Sequence, residues 1–568
     1  VAGATLHDLA DLVAAAVLSY DSARERYTLH ELLRQFAAER LAQDVVAEAA
    51  ALDAHAAFFC GYVAEHAPKL RRLDQGAAQS ALEYEQENIG AAWRRAVRQR
   101  RLDLIGMAAH ALGLFYEQRA DTVRGAAIFD EEVARLAEGS ALPAELRARL
   151  LTWRSAFLRP LGHLPEAERL ARRALELLDQ AADASDTWRA ATAHAHLRRA
   201  LAIDDLRGAV AMTGYETALG YYRALGRVWE QSYVVYHIAR LHCDLDQPEA
   251  AAHYGRASLT LRESCGDARG SAHTLQLMSR ICIARGELDE ALMLAHRCHT
   301  LFDQLSDRAG VAKGLRQLGI TLYWHGRFAE ALPLAEQSLA IYQDFGLSIE
   351  IGVVHTLISL LRTALGQAEG GEEDARLAIA LHQLHPGALV EDNAALGLAL
   401  LVQGRDREAE AVLRSSVALH QQLGRSPVPQ AAPLLALCLR RRHADKEARE
   451  LVAVTLRRAG EQQVFMPSLL GLASAALLLA DGGDTARAAE IAALVDGFPV
   501  IRNNRGLRAC LHPSDAIGLG LFEPEMGAEA GGGKSGLTIW EIARRLGAML
   551  SDSGGLRVRG SRGTRQLR

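Results

Sequence analysis

Ten times along this chain a turn position is followed, five residues later, by glycine or alanine. The turn positions are Ala120, Gly162, Asp204, Asp246, Gly286, Gly326, Gly366, Gly404, His443 and Gly483, each 38 to 42 residues from the next. The small residues are Gly125, Ala167, Ala209, Ala251, Ala291, Ala331, Gly371, Ala409, Ala448 and Ala488. A period of this size marks stacked helical hairpins. The small residue is what two helices need where they cross, because a longer side chain would hold the backbones apart. The pattern therefore predicts an all-α chain of about ten hairpins in a right-handed superhelix. Each hairpin packs on its neighbours, so 568 residues need no single core. Such a stack offers an extended concave face, which predicts binding rather than catalysis, with no catalytic residue and no cofactor.

Charged residues make up 23% and aromatics 5%, and Ala, Leu, Arg and Glu dominate, a mixture that favours helix. The net charge of −5 argues against a protein that coats nucleic acid through its overall charge. The seven cysteines (Cys60, Cys243, Cys265, Cys282, Cys298, Cys438 and Cys510) are scattered and odd in number. That predicts reduced thiols and a cytoplasmic location. The longest apolar stretch, Leu469 to Ala480, is too short to cross a bilayer. Asp8 and Asp11 stand where a signal peptide would carry basic residues.

Near the N-terminus, Ala15 to Tyr20 and Arg26 to His30 fit two short strands around a polar turn. Glu31 to Leu41 fits a helix with Leu32, Leu33, Phe36 and Leu41 on one side. The run Arg26-Tyr27-Thr28-Leu29-His30-Glu31-Leu32-Leu33-Arg34-Gln35-Phe36-Ala37 resembles a signature of bacterial STAND-type signalling ATPases and their transcription-regulator relatives. In that family it closes a winged helix and leads into tetratricopeptide-like repeats. Leu82-Glu83-Tyr84-Glu85-Gln86-Glu87-Asn88-Ile89 with Ala91-Ala92-Trp93 resembles the family's bridge to those repeats. Leu112-Gly113, Leu318-Gly319 and Leu396-Gly397 each place a glycine seven residues before a turn, as the tetratricopeptide first helix does. The family's nucleotide-binding motifs would stand upstream, and residues 1–12 hold none. The resemblance thus implies the C-terminal half of such a protein, and nucleotide hydrolysis is not carried over.

The predicted organisation is a winged-helix remnant at 1–45, a helical bridge at 46–100, a repeat array at 101–498 and an irregular basic tail at 499–568. Within that tail, Thr538 to Leu550 fits one helix. In the tetratricopeptide register the first helix of each hairpin lines the groove. That nominates His194 and Arg198; Tyr233, Tyr236 and Arg240; His273, Gln276 and Arg280; Lys313, Arg316 and Tyr323. Arg198, Arg240 and Arg280 share one repeat position. Arginine and tyrosine in a groove suit an acidic protein or peptide, through bidentate pairing and rigid contact area. The resemblance leaves a small effector possible as well.

Other motifs carry less. Residues 528–535, with Lys534 and Ser535, satisfy a relaxed phosphate-loop pattern, but neither a buried strand nor enough chain surrounds them. His30-Glu31-Leu32-Leu33-Arg34 lacks the second histidine of a zinc helix. His296, Cys298 and His299 fit a surface histidine pair better than a metal site. No metal is therefore expected. The arginines from Arg557 to Arg568 give a runner-up reading, a DNA-associated regulator using the wing and the basic tail.

Overall fold

The computed structural model describes residues 5–22, 26–71, 75–119, 121–138, 142–181, 185–204, 208–423, 431–511 and 538–552. They fall into two compact units, Val1–Ala202 with Gly220–Leu225, and Ile203–Leu219 with Gly226–Arg568. The division lies inside the segment expected as one array.

The first unit opens with α1 (Leu6–Ala14), a hairpin of β1 (Leu18–Asp21) and β2 (Arg26–Leu29), and α2 (Glu31–Leu41). The strands pair antiparallel, with Tyr20 opposite Tyr27. Strands and helix stand where the sequence places them, although β1 is shifted three residues onward. No residue of α1 or α2 is buried, and Leu32 and Phe36 are exposed. Then come α3 (Val45–His66), α4 (Gln75–Tyr84) and α5 (Gln86–Arg98), followed by the hairpin of α6 (Leu102–Gln118) with α7 (Thr122–Ile128) and α8 (Glu131–Glu138). The next hairpins are α9 (Ala144–Leu158) with α10 (Leu164–Asp179) and α11 (Asp186–Ile203) with α12 (Gly208–Ala224). The unit boundary runs through this last pair.

The second unit continues as α13 (Val228–Asp244) with α14 (Pro248–Cys265), α15 (Ala268–Arg285) with α16 (Leu288–Gln304), and α17 (Arg308–Trp324) with α18 (Phe328–Phe345). After these come α19 (Ser348–Ala364) with α20 (Ala368–Leu381), α21 (Pro386–Val402) with α22 (Asp406–Gln422), α23 (Ala431–Arg441) with α24 (Asp445–Gln462), and α25 (Phe465–Asp481) with α26 (Thr485–Asp496). Among the described residues the chain thus forms ten tetratricopeptide-like hairpins, and the fold class is all-α, as expected. Every described turn mark sits between the two helices of a hairpin. Gly162, Gly286, Gly326, Gly366, Gly404 and Gly483 take positive φ there, the conformation glycine adopts without a Cβ clash. Asp246 and His443 adopt it too, at φ 52° and 58°.

Most hairpin crossings pair a small first-helix residue with the small second-helix residue twelve positions later, although Leu197 takes the first-helix place in α11. Ala167, Ala251, Ala291, Ala331, Ala409, Ala448 and Ala488 are all 0% exposed. Two first-helix serines donate to the partner's carbonyl, Ser155 Oγ to Ala167 at 2.7 Å and Ser279 Oγ to Ala291 at 2.8 Å, whereas Ser359 in the same register leaves its buried hydroxyl unpaired. Gly319 faces the Ala331 carbonyl in the same register. Gly113 does a different job, since the Trp153 ring of the next hairpin lies against it. Ala331→Leu is expected to lower stability by about 1–3 kcal/mol through overpacking. Urea unfolding followed by circular dichroism would show it, with the helical content of the folded protein unchanged.

The segment from 499 is not irregular throughout. α27 (Pro499–Arg502) and α28 (Arg505–Leu511) fold back across the turn ends of the preceding hairpins. Val500, Ile501, Leu507, Cys510 and Leu511 are buried there. Asn503 Nδ2 donates to the Gly326 carbonyl at 3.3 Å, and Arg441 bridges the carbonyls of Leu401 and Ala509. Further on, α29 (Ile539–Asp552) fulfils the expected helix and packs along α24. Gly460 and Gly547 allow that approach, since a Cβ on either would meet backbone atoms within 3 Å. The arginines beyond residue 552 lie outside the described residues.

Candidate functional site

From α13 to α17 the first helices of consecutive hairpins repeat their positions every 40 residues, so one helix face becomes a row of stacked side chains. Positions 233 and 273 continue to 313, positions 236 and 276 to 316, and 240 precedes 280. In the second unit the predicted groove residues do come together on this face. Their pairing differs from what was expected.

Two of the recurring arginines belong to an ion-pair ladder. Asp204, buried at the start of the unit, accepts from Tyr215 Oη at 2.7 Å and pairs with Arg240. Arg240 also donates to Asp244 at 3.1 Å, and Asp244 accepts from Arg280 at 3.3 Å. Two cations and two carboxylates thus alternate, and most of the positive charge is spent inside the protein. Arg280 ends the ladder, and its side chain remains 38% exposed.

One hairpin further on, Arg316 is buried and pairs with Glu350 at 2.5 Å. Burial alone would raise the Glu350 carboxyl, but Arg316 and Lys313 overcome it and hold the group below the usual carboxylate range. Lys313 is half-buried, and none of the described ion pairs includes it. Burial and then Lys313 push His273 well below its ordinary value, so it stands neutral at pH 7. Gln276 is buried and donates to Gln317 Oε1 at 2.9 Å, and Gln317 donates in turn to Ser279. Tyr323 is buried between Trp324 and Phe328.

His194 and Arg198 lie in the first unit and are buried together. Arg198 donates to both Glu117 oxygens, at 2.5 and 2.7 Å, and its guanidinium covers the Trp153 ring at 4.9 Å. Burial and the adjacent Arg198 hold His194 neutral. Of the eleven nominated residues, His194, Arg198, Gln276, Arg316 and Tyr323 are therefore internal. Tyr233, Tyr236, Arg240, His273, Arg280 and Lys313 keep some access to solvent. The partners that sequence reasoning missed are Glu117, Asp204, Asp244 and Glu350. Asp244 could have been found as an acid four residues after Arg240 on one helix.

His296 is exposed while Cys298 is buried, with its thiol pushed up to about 12 by desolvation, so the two point apart. Among the described residues one other cluster has metal-binding composition, Cys282 with Glu287 and Glu290. Arg285 already holds Glu287 at 2.9 Å, and burial with the two glutamates pushes the Cys282 thiol up to about 12. A thiol so hard to ionise is a poor ligand. The Lys534 loop lies outside the described residues. No described helix is long and apolar enough to cross a membrane.

The tetratricopeptide repeat model matches residues 273–344, which span α15 to α18. No curated protein matches the chain. Among solved structures, aspartyl phosphate phosphatase F from Bacillus subtilis is similar at 15% identity and TM-score 0.40, over 60% of this chain and 90% of that one. A Rap protein complexed with competence and sporulation factor is similar at 12% identity and TM-score 0.41, over 60% of this chain and 99% of that one. A STAND protein with a tetratricopeptide repeat sensor from Pyrococcus horikoshii is similar at 12% identity and TM-score 0.37, over 67% of this chain and 58% of that one.

Proposed function

We propose that this chain is a non-catalytic binding scaffold whose second unit captures a protein or peptide on its first-helix row. We further propose that it serves as the sensor or docking part of a STAND-like signalling or transcription regulator. The winged-helix reading of β1, β2 and α2 belongs to this proposal, as does a cytoplasmic setting. The observation that carries the binding reading is the partly exposed set of Tyr236, His273, Arg280 and Lys313 on successive hairpins, beside pairs that are already neutralised. The ladder narrows the partner. Arg240 and Arg316 are held by acids, so an incoming carboxylate meets Arg280 and Lys313.

Arg280→Ala with Lys313→Ala is expected to weaken binding of acidic peptides at least tenfold, since each charge-assisted contact is worth about 1.5–3 kcal/mol. Screening the wild type on an array of Asp- and Glu-containing peptides, then titrating the best binder by fluorescence anisotropy, measures it. Unchanged affinity at equal helicity would refute the reading. Arg240→Ala is the wrong probe, because it leaves Asp204 buried without its cation and costs stability instead.

A further inference from the structure

The first hairpin of the array breaks its own pattern. Its second helix is cut into α7 and α8 at Phe129 and Asp130, where the other hairpins carry one continuous second helix. Phe129 turns inward against Trp93 and Trp153, and the Ile128 carbonyl released by the break accepts from Trp93 Nε1 at 2.9 Å. Beside the break lies a cavity of about 800 Å³, the size of a small-ligand site. Gly90, Trp93, Val97, Tyr116, Ile128 and Val133 form its buried floor, and its rim is charged.

Most of the rim charges are occupied. Glu83 pairs with Arg119 at 2.8 Å, and Arg124 bonds Gln86 and Asp121. Glu87 and Arg94 differ, for neither joins an ion pair with another described residue, and Arg34 acts on Glu87 only at longer range. Their Cα atoms stand seven residues apart on α5, two turns on one face and about 10 Å along the axis. Gly90 lies between them, and a Cβ built there meets only the Arg94 guanidinium, at 3.5 Å. The Arg94 guanidinium thus lies over Gly90, and the anion and the cation share one helix face above the aromatic floor.

We propose that this cavity binds a short peptide by its two free ends, with the ammonium on Glu87, the carboxylate on Arg94 and an apolar side chain over Trp93 and Tyr116. With the exposed Arg94 arm swung out from Gly90, extended chain advancing about 3.3–3.6 Å per residue lets a tripeptide reach from one charge to the other, whereas a free amino acid holds its two charges on one carbon. Opposite charges at the two ends also fix its direction.

The test is calorimetric titration of the full chain with alanyl-phenylalanyl-alanine, its N-acetylated form and its C-terminal amide. The free tripeptide is expected to bind, and either blocked form to bind roughly tenfold more weakly. Glu87→Gln should weaken the free tripeptide to the level of the acetylated one and leave the acetylated one unchanged. Arg94→Gln should behave likewise with the amide. Gly90→Leu, whose Cβ meets no backbone and whose side chain takes up the floor, should abolish binding while circular dichroism stays constant. Absence of saturable binding to the wild type would overturn the proposal. So would undiminished binding by Gly90→Leu, or end-blocking effects that persist equally in Glu87→Gln and Arg94→Gln.

Discussion

Replacing Asp392 with alanine is expected to lower the unfolding free energy by about 3–5 kcal/mol, the cost of breaking a buried ionic pair from one side. Asp392 is buried on α21 and accepts from Thr356 on α19 at 2.5 Å and from His382 Nδ1 at 2.7 Å. His382 closes α20, is fully buried and gives its other nitrogen to the Ile349 carbonyl at 2.9 Å. One carboxylate therefore ties two hairpins together, and its loss strands an imidazole and a hydroxyl in the core. A pH signature accompanies it. Burial by itself would lower the His382 value, but the hydrogen bond and charge of Asp392, with the Ile349 carbonyl, raise it above 6.5. A raised histidine contributes stability that is fully present below its unfolded value and is lost as pH rises through the folded one. Urea unfolding across that window should show the wild type losing stability toward alkaline pH, with the slope reduced in Asp392→Ala. A destabilisation below about 1 kcal/mol would mean that the three groups do not act together.

Gly506→Ala is expected to release the segment that crosses the turns. A Cβ at this position would fall on the Thr363 carbonyl, which is backbone at the end of α19 and has nowhere to move. The segment must lift, and Cys510 lifts with it. In the native protein that thiol is buried, and desolvation pushes it up to about 11. Exposure removes the desolvation, so its reaction with a disulfide reagent should accelerate at least tenfold at pH 8. The measurement is the rate of a single fast thiol, identified by peptide mapping, with far-ultraviolet dichroism unchanged. If Cys510 keeps its native reactivity, the segment is held by its apolar side chains and not by the contact at Thr363.

The hairpins were legible because their constraints are local. A positive φ asks for glycine at the turn, a crossing asks for alanine, and both recur at fixed distance from one another. Ile128 and Phe129 could not reveal the break between α7 and α8, because it depends on where Trp93, 35 residues earlier, sends its indole N–H. The groove was half legible for the same reason. Arg198 and Arg316 look exposed when only their helix period is considered. Their burial is decided by Glu117 at a separation of 81 residues and Glu350 at 34. The run from Phe498 to Leu511 carries Val500, Ile501, Leu507 and Leu511, an apolar signal obscured by Asn503, Asn504 and Gly506. Asn503 and Gly506 are what the segment needs where its docking surface includes the peptide carbonyls of Gly326 and Thr363, and main chain leaves no trace in composition.

Arrays of this kind ordinarily melt from their ends, because each element is held by the one before it and little else. The bond from Asn503 to Gly326 spans 177 residues and pins α27 and α28 to the hairpin of α17 with α18. Everything between becomes one closed ring of contacts. Neither α27 nor α28 can fray singly without also giving up that link, so amide exchange in the described helices from α18 to α28 should proceed as a block, sharing a single opening free energy.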